Sequence, residues 1–250
     1  MTPQGALVTG AGARLGKAMA EALGADGWAL AVHYHGSETA AQETADAIRR
    51  AGGMAETLRC DLADEAQRAS LIADAAQRLG RPITLLVNSA STFADDTATD
   101  HSRAGWDHHL EPNLRAPVHL AQQLAAALPE GEKALIVNLI DQRVLKPNPQ
   151  FFTYTLSKMA LWQATRTLAQ ALAPAIRVNA IGPGPTLASV HQTAEEFAAE
   201  RAATLTGEGS NPEEIVRALR YLVSASSVTG QMIASDGGQH LLWQTPDTRL

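Results

Sequence analysis

A tyrosine and a lysine one helical turn apart are the clearest candidates for acid–base chemistry. Tyr154 and Lys158 lie in the segment TYTLSKMAL, and residues four apart share one face of an α-helix. A nearby ammonium stabilises a phenolate, so Lys158 is expected to lower the tyrosine pKa from about 10 towards neutrality. Asp141 precedes this helix in NLIDQRV and could orient a substrate or relay a proton. Without further evidence, such a pair usually belongs to an ordinary solvated helix face.

Glycines between the first predicted strand and the first predicted helix indicate a phosphate-binding loop. Gly10, Gly12 and Gly16 lie in TGAGARLG, and glycine lets backbone N–H groups approach a pyrophosphate at a helix N-terminus. A turn needed only for packing is the alternative. Arg14 places a cation in the first turn of the helix, where it opposes the helix dipole. We therefore expect Arg14 to meet an anion such as a cofactor phosphate.

The segment after the second predicted strand favours NADPH over NADH. Dinucleotide folds that prefer NAD commonly place a carboxylate about 20 residues past the glycines, where it binds the ribose 2′-hydroxyl. This chain instead has HYHGS, with His33, His35 and Ser37 and no acid before Glu38. The hydroxyl and the imidazoles could donate to a 2′-phosphate, although they could also be surface residues without a ligand.

The elements that must position these residues alternate between apolar strands and amphipathic helices. The apolar runs predict strands at 5–10, 28–34, 54–60, 83–90, 133–140, 175–184 and 231–235. The helical patterns lie at 14–27, 37–53, 64–79, about 105–128, 154 to about 173, and 212–224. This alternation predicts an α/β fold: one Rossmann-type domain over residues 1–250, with a doubly wound parallel sheet flanked by helices on both faces.

Composition excludes several function classes. The formal net charge is −6 and no lysine- or arginine-rich stripe appears, which argues against nucleic-acid binding. A single cysteine, Cys60, allows no internal disulfide. The N-terminus shows no signal-peptide pattern and no segment is apolar enough to span a membrane, so we expect a cytoplasmic protein. His101, His108 and His109 lack suitably placed acids or cysteines, so they are interpreted as surface or helix-facing residues and no metal site is predicted.

Taken together, the motifs resemble the short-chain dehydrogenase/reductase family over essentially the whole chain. The matching segments are TGAGARLG (9–16), CDL (60–62), VNSAS (87–91), EPNLRAP with Asn113, the Tyr154–Lys158 pair, IGPG (181–184) and TGQMIASDGG (229–238). The resemblance implies that Asp61 contacts the adenine, Asn88 borders its ribose, Asn113 holds a water in a proton relay and Lys158 holds the nicotinamide ribose. The cofactor site it implies also includes Gly10, Gly12, Arg14, Leu15, Gly16, His33, His35, Ser37, Leu62, Ser89, Ala90, Tyr154, Pro183 and Gly184.

Two departures from the family pattern resemble the pteridine reductases and the related dihydromonapterin reductases. Arg14 replaces a usual glycine and Asp141 a usual serine, while SASTF (89–93) matches the subgroup. In that subgroup, the resemblance implies, Arg14 reaches cofactor phosphate and substrate, Ser91 binds cofactor or pterin, and Phe93 sandwiches the pterin against the nicotinamide. The subgroup often has an arginine at the position where this chain has Gly36. The missing arginine weakens the inference of NADPH over NADH. The family also implies a substrate lid at about 185–210 and a homotetramer.

These observations support one leading hypothesis and two alternatives. The first is NADPH-dependent reduction of a 7,8-dihydropterin, such as dihydrobiopterin or dihydromonapterin, with Tyr154 as proton donor and Asp141 as substrate orienter. Burial should raise the Asp141 pKa while Lys158 should lower it, and the sequence leaves that balance open. The second hypothesis is reduction of a carbonyl substrate such as a 3-oxoacyl thioester or a sugar. The third is a non-catalytic NADP(H)-binding sensor.

Overall fold

Seven strands pair in parallel into one sheet in the computed structural model, which describes residues 4–189 and 192–245. The strand order is β3-β2-β1-β4-β5-β6-β7. The strands are β1 (Gly5–Val8), β2 (Ala29–Tyr34), β3 (Met54–Arg59), β4 (Ile83–Asn88), β5 (Ala134–Leu139), β6 (Ile176–Pro183) and β7 (Met232–Ser235). The helices are α1 (Arg14–Ala25), α2 (Glu38–Arg50), α3 (Glu65–Arg68), α4 (Leu71–Leu79), α5 (Arg103–Leu110), α6 (Ala116–Ala127), α7 (Phe152–Leu172), α8 (Ala194–Ala202) and α9 (Pro212–Ser224).

The apolar strands form the centre of a three-layer structure. All residues of β1, β2, β4 and β5 are buried, as expected for parallel strands covered on both faces. One core joins the sheet to α1, α2 and α9, and a second joins its other face to α4, α6 and α7. The predicted Rossmann-type fold is therefore confirmed. No helix in the described part of the chain has the length and apolarity that a membrane crossing requires.

The strand order reverses direction between β1 and β4, which is where this class of fold binds ligands. Thr9, directly after β1, fixes the two neighbouring strand ends to each other. Its hydroxyl oxygen accepts hydrogen bonds from the backbone N–H groups of Ser89 and Ala90, both at 3.0 Å. The loops that follow β1 and β4 therefore meet in a defined register at the carboxyl edge of the sheet.

Two helices predicted as continuous are interrupted. The predicted helix 64–79 is divided into α3, whose first turn is capped by the Asp64 carboxylate, and α4. The predicted helix 105–128 contains a π-helical turn at Glu111–Arg115. Pro112 has no N–H to donate to the His108 carbonyl in the α-helical pattern, and that carbonyl accepts a hydrogen bond from the Thr92 hydroxyl instead. The irregular turn thus connects this helix to the loop after β4.

The polar segment predicted as a lid contains an element of its own. Helix α8 lies within it and begins with a capping box, in which Thr193 and Glu196 satisfy each other's backbone N–H groups. Val190 and His191, in the same segment, and the C-terminal residues 246–250 lie outside the described residues.

Candidate active site

A cleft of about 840 Å³ opens at the carboxyl edge of the sheet. It brings together most of the residues predicted to form the site, from segments far apart in the chain. These are Gly10, Arg14, Leu15, Gly16, His33, His35, Asp61, Leu62, Ser89, Ala90, Ser91, Phe93, Asp141, Tyr154, Lys158, Pro183 and Gly184. Four predicted residues do not line it: Gly12, Ser37, Asn88 and Asn113.

Tyr154 and Asp141 are in direct contact at the centre of the cleft. The Tyr154 hydroxyl donates to Asp141 Oδ2 at 2.9 Å. Tyr154 is held in the first turn of α7, while Asp141 lies two residues after the end of β5 and is partly buried. The second carboxylate oxygen of Asp141 accepts from the backbone N–H of Arg143 at 2.8 Å. The carboxylate is therefore fixed by the start of a short 3₁₀ turn and presented to the phenol.

Burial is the largest cause of the pKa shifts of Asp141 and Tyr154. It raises the pKa of Asp141 against the opposing effects of the Arg143 backbone N–H and side chain, Tyr154 and Lys158. Burial, followed by the nearby Asp141 carboxylate, raises the pKa of Tyr154 well above 10. The expected net lowering of the Tyr154 pKa towards neutrality is therefore wrong for this structure, in which burial and Asp141 raise it. In this structure Tyr154 is therefore a protonated hydrogen-bond donor, although the raised pKa makes it a weaker acid than an ordinary phenol.

Lys158 is buried beside the tyrosine and bonded to the sheet. Its ammonium donates to the Leu139 carbonyl at 2.9 Å and lies 5.8 Å from the centroid of the Tyr154 ring. Burial lowers its pKa to about 8, while Asp141 opposes the shift. The group is therefore mostly protonated at neutral pH and remains a cation facing the cleft.

Asn113 is a fully buried connector between the cleft wall and α7. Its side-chain oxygen accepts from the Thr92 backbone N–H at 2.9 Å and the Ser91 hydroxyl at 3.1 Å. Its amide donates to the Thr92 carbonyl at 3.0 Å and the Ser157 hydroxyl at 3.1 Å. Both polar atoms of the side chain thus bind protein groups. The predicted role in holding a relay water stays a prediction, and the structure shows Asn113 fixing the loop that carries Ser91.

Two phenylalanines form an aromatic wall next to Tyr154. The Phe93 ring stacks on Phe151 with centroids 4.1 Å apart and meets the Tyr154 ring edge-on at 4.7 Å. Phe151 precedes α7 and adopts φ = +53°, a strained conformation for a side chain of this size. The Arg143 guanidinium lies 5.1 Å from the Phe151 centroid. This wall provides a flat apolar surface suited to a planar ring.

The glycine loop fits a dinucleotide phosphate. Gly10 has φ = +65°, and a Cβ atom there would lie 2.9 Å from Ala90 Cα; at Gly16 it would lie 2.2 Å from the Gly10 carbonyl oxygen. A side chain at either position would therefore clash with the backbone of the loops, and only glycine allows this close packing. Helix α1 begins without a side-chain cap and without an acid in its first turn, which leaves its N-terminus suited to an anion.

Arg14 adopts φ = +52°, which explains why a glycine is usual at this position. Its guanidinium donates to the carbonyls of Ala188 and Leu187, at 2.9 and 3.1 Å. In this structure Arg14 thus binds the segment after β6. Its predicted contacts with cofactor phosphate and substrate stay predictions.

The three residues expected to bind a 2′-phosphate are placed differently from one another. His33 is buried, and its ring nitrogens bind the Gly10 N–H at 3.1 Å and the Cys60 carbonyl at 3.0 Å. Burial lowers its pKa to about 4, so the ring is neutral. His33 therefore supports the glycine loop, and the structure does not favour it as a phosphate donor. His35 is exposed at the cleft, 3.6 Å from Asp61, whereas Ser37 directly precedes α2 and does not line the cleft.

The residues predicted around the adenosine are divided between the cleft and the core. Asp61 and Leu62 line the cleft. The Asn88 side chain is buried behind it and donates to Asn138 at 2.8 Å. At the opposite wall, Gly184 packs so closely on Asp236 that a Cβ atom would lie 2.5 Å from the Asp236 Cβ. Asn88 thus stabilises the strand end from within the sheet.

Several residues that shape the site were not predicted from the sequence. Thr92, His108 and Thr186 line the cleft, and Thr9 joins its two loops. The hydroxyl residue before Gly10 was a usable signal for Thr9, and Thr92 lies within the SASTF segment, whereas no pattern marked His108 or Thr186 as site residues. A second cavity of about 560 Å³ shares Phe93 and Asp141 with the cleft and extends below α8.

Comparison with known proteins supports a family assignment. A family profile described as enoyl-(acyl carrier protein) reductase matches residues 10–240. The crystal structure of FolM alternative dihydrofolate reductase 1 from Brucella canis, complexed with NADP, is 47% identical and superposes with a TM-score of 0.95, covering 99% of this chain and 98% of that one. The 3beta-hydroxysteroid dehydrogenase 1 of Eggerthella lenta is 31% identical over 94% of this chain and 93% of that protein. The short-chain reductase protein NovJ of Streptomyces niveus has the same identity and coverage. This chain therefore belongs to the short-chain dehydrogenase/reductase family.

Proposed function

We propose that this protein is an NADPH-dependent reductase that converts a 7,8-dihydropterin to the tetrahydro form. The observation that carries the proposal is the hydrogen bond from Tyr154 to the Asp141 carboxylate, beside the Phe93 ring. The Brucella canis protein, described as an alternative dihydrofolate reductase, adds support because dihydrofolate contains a dihydropterin ring.

NADP(H) is the cofactor that the site and the similar structures favour. The loop at Gly10 and Gly16 and the uncapped start of α1 suit its pyrophosphate, and Lys158 lines the same cleft. Bound NADPH supplies a hydride. The Brucella canis structure contains NADP, and the absence of a carboxylate at the end of β2 agrees with a 2′-phosphate.

The proton is the part of the reaction that this chain's own side chains provide. Reduction of the C6=N5 bond adds a hydride to C6 and a proton to N5. Tyr154 is protonated at neutral pH, so it has a proton to donate to N5. Asp141, whose pKa is also raised, can return a proton to the phenolate when neutral. When ionised, it can accept hydrogen bonds from the pterin amino group.

A carbonyl substrate is the second candidate, since the Eggerthella relative is described as a hydroxysteroid dehydrogenase. Carbonyl reduction develops negative charge on oxygen, which donors stabilise. Asp141 places an acceptor beside Tyr154, where an ionised carboxylate would repel that charge. An imine nitrogen that takes up a proton is the better match.

The test follows NADPH absorbance with dihydrobiopterin, dihydromonapterin and dihydrofolate in parallel with an acetoacetyl thioester and a 3-ketosteroid. Turnover with one or more dihydropterins, at a kcat/KM well above that for the carbonyl compounds, is expected. Turnover only with a carbonyl compound would reject the proposal in favour of the second candidate. NADPH binding without turnover of any acceptor would favour the sensor hypothesis.

A further inference from the structure

A chain of buried polar contacts lies behind the aromatic wall. His109, on α5, is almost fully buried rather than at the surface, and Thr153 is fully buried. Asp96 belongs to the loop after β4 and contacts Thr153 twice: it accepts from the Thr153 hydroxyl and, at 2.9 Å, from the Thr153 backbone N–H. Thr153 Oγ1 lies 2.7 Å from His109 Nδ1, and the Ala94 N–H donates to His109 Nε2 at 3.0 Å.

The contacts allow one arrangement of hydrogens when Asp96 is ionised. A carboxylate only accepts, so the Thr153 hydroxyl uses its hydrogen on Asp96. The hydroxyl must then accept from His109, which places the imidazole hydrogen on Nδ1. Nε2 is left as an acceptor, and the Ala94 N–H occupies it. The series therefore has a direction, from Ala94 through His109 and Thr153 to Asp96.

The series joins the two sides of the proposed substrate site. Ala94 follows Phe93, the stacking ring, and Thr153 precedes Tyr154, the proton donor. Phe151, at the start of α7, provides no side-chain cap, and the Asp96 carboxylate serves that purpose from outside the helix. The His109 ring also meets the Tyr154 ring at 6.0 Å.

We propose that Asp96, Thr153 and His109 are positioning residues that set the distance between the Phe93 ring and the Tyr154 hydroxyl. None of the three lines the cleft, so they act through the two residues that do. This inference rests on the proposed function for its kinetic consequence, whereas its structural content is independent of the substrate.

The experiment compares Thr153→Val with Thr153→Ser. Valine keeps the branched shape and removes the hydroxyl, whereas serine keeps the hydroxyl. His109→Phe, as a second variant, keeps a ring against Tyr154 and removes both hydrogen bonds. We expect Thr153→Val and His109→Phe to lower kcat by about tenfold or more, since a misplacement of about 1 Å can cost 100-fold. Thr153→Ser should restore kcat, and the Kd of NADPH should stay the same in all three.

Hydrogen exchange of the peptide that contains Ala94 provides the readout that needs no substrate. Exchange of this amide should be faster in Thr153→Val and His109→Phe than in the wild type and in Thr153→Ser. The inference would be overturned if Thr153→Val and His109→Phe both showed the exchange rate and the kcat of the wild type. It would also be overturned if these variants had a lowered Tm but an unchanged kcat per folded molecule, since the contacts would then serve stability alone. Should the wild type not reduce pterins, the proposed function fails, whereas the exchange data still decide this inference.

Discussion

Replacement of Asp141 by asparagine tests the proposed chemistry most directly. An asparagine retains an oxygen that can accept from the Arg143 N–H, which Asp141 binds at 2.8 Å, so the turn after β5 should survive. The group facing Tyr154 then becomes an amide, and the carboxylate that accepts at 2.9 Å is lost. A hydrogen bond to a charged group contributes about 1.5–3 kcal/mol, so kcat/KM for a dihydropterin should fall roughly 10- to 100-fold.

The assay measures NADPH oxidation at saturating cofactor, with the Kd of NADPH as the control that the fold is intact. The pH dependence of kcat/KM provides an independent test. Because the Asp141 carboxylate is one cause of the raised Tyr154 pKa, its removal should move the loss of activity at high pH to a lower pH. Asp141→Asn with wild-type kcat/KM and an unchanged profile would refute the reasoning and remove Asp141 from the mechanism. Asp141→Ser should likewise lose pterin turnover.

Three further predictions concern neighbouring residues. Tyr154→Phe should reduce kcat by at least about 100-fold while the fluorescence-measured Kd of NADPH stays unchanged; a smaller loss would show that another group supplies the proton. Lys158→Met should stabilise the ligand-free protein to urea by up to about 3 kcal/mol at pH 7, because burial lowers the Lys158 pKa to about 8. This advantage should shrink between about pH 8 and 10.5, because the native-state lysine has lost its proton there while the unfolded-state lysine still keeps its own. Its absence at pH 7 would contradict the assigned desolvation. Arg14→Gly should be more stable than Arg14→Ala by about 1 kcal/mol in free energy of unfolding, because residue 14 has φ = +52° and glycine adopts this conformation at little cost. The glycine variant should therefore have the higher Tm, and equal Tm values would show that residue 14 is not strained.

The sheet was predictable because a parallel sheet is buried on both faces. ITLLVN in β4 and ALIVNL in β5 are nearly continuous apolar runs, and such runs between helical patterns imply βαβ units. The helix interruptions were harder to predict. Pro112 was a visible signal for the π-helical turn, yet a proline near the middle of a long apolar pattern can also kink a helix without a π-helical turn.

The sequence predicted which residues line the site better than it predicted their pKa values. Motif spacing correctly indicated that Tyr154, Lys158 and Asp141 share one cleft. The direction of the Tyr154 pKa depended on burial and on a 2.9 Å contact, neither of which a spacing of four residues reveals. His33 lies near the carboxyl end of an apolar strand, where a phosphate ligand could lie, yet its ring binds Gly10 and Cys60. These partners are brought together only by the folded sheet.

The π-helical turn at Pro112 has a consequence for any attempt to regularise this protein. The hydrogen that proline lacks leaves the His108 carbonyl accessible to the Thr92 hydroxyl, and Thr92 adjoins the aromatic ring at position 93. An engineer who replaced the proline with alanine would give that carbonyl back a local donor and weaken its hold on the neighbouring loop. The helix would become more uniform, and the surface against which a flat substrate stacks would lose one of its anchors.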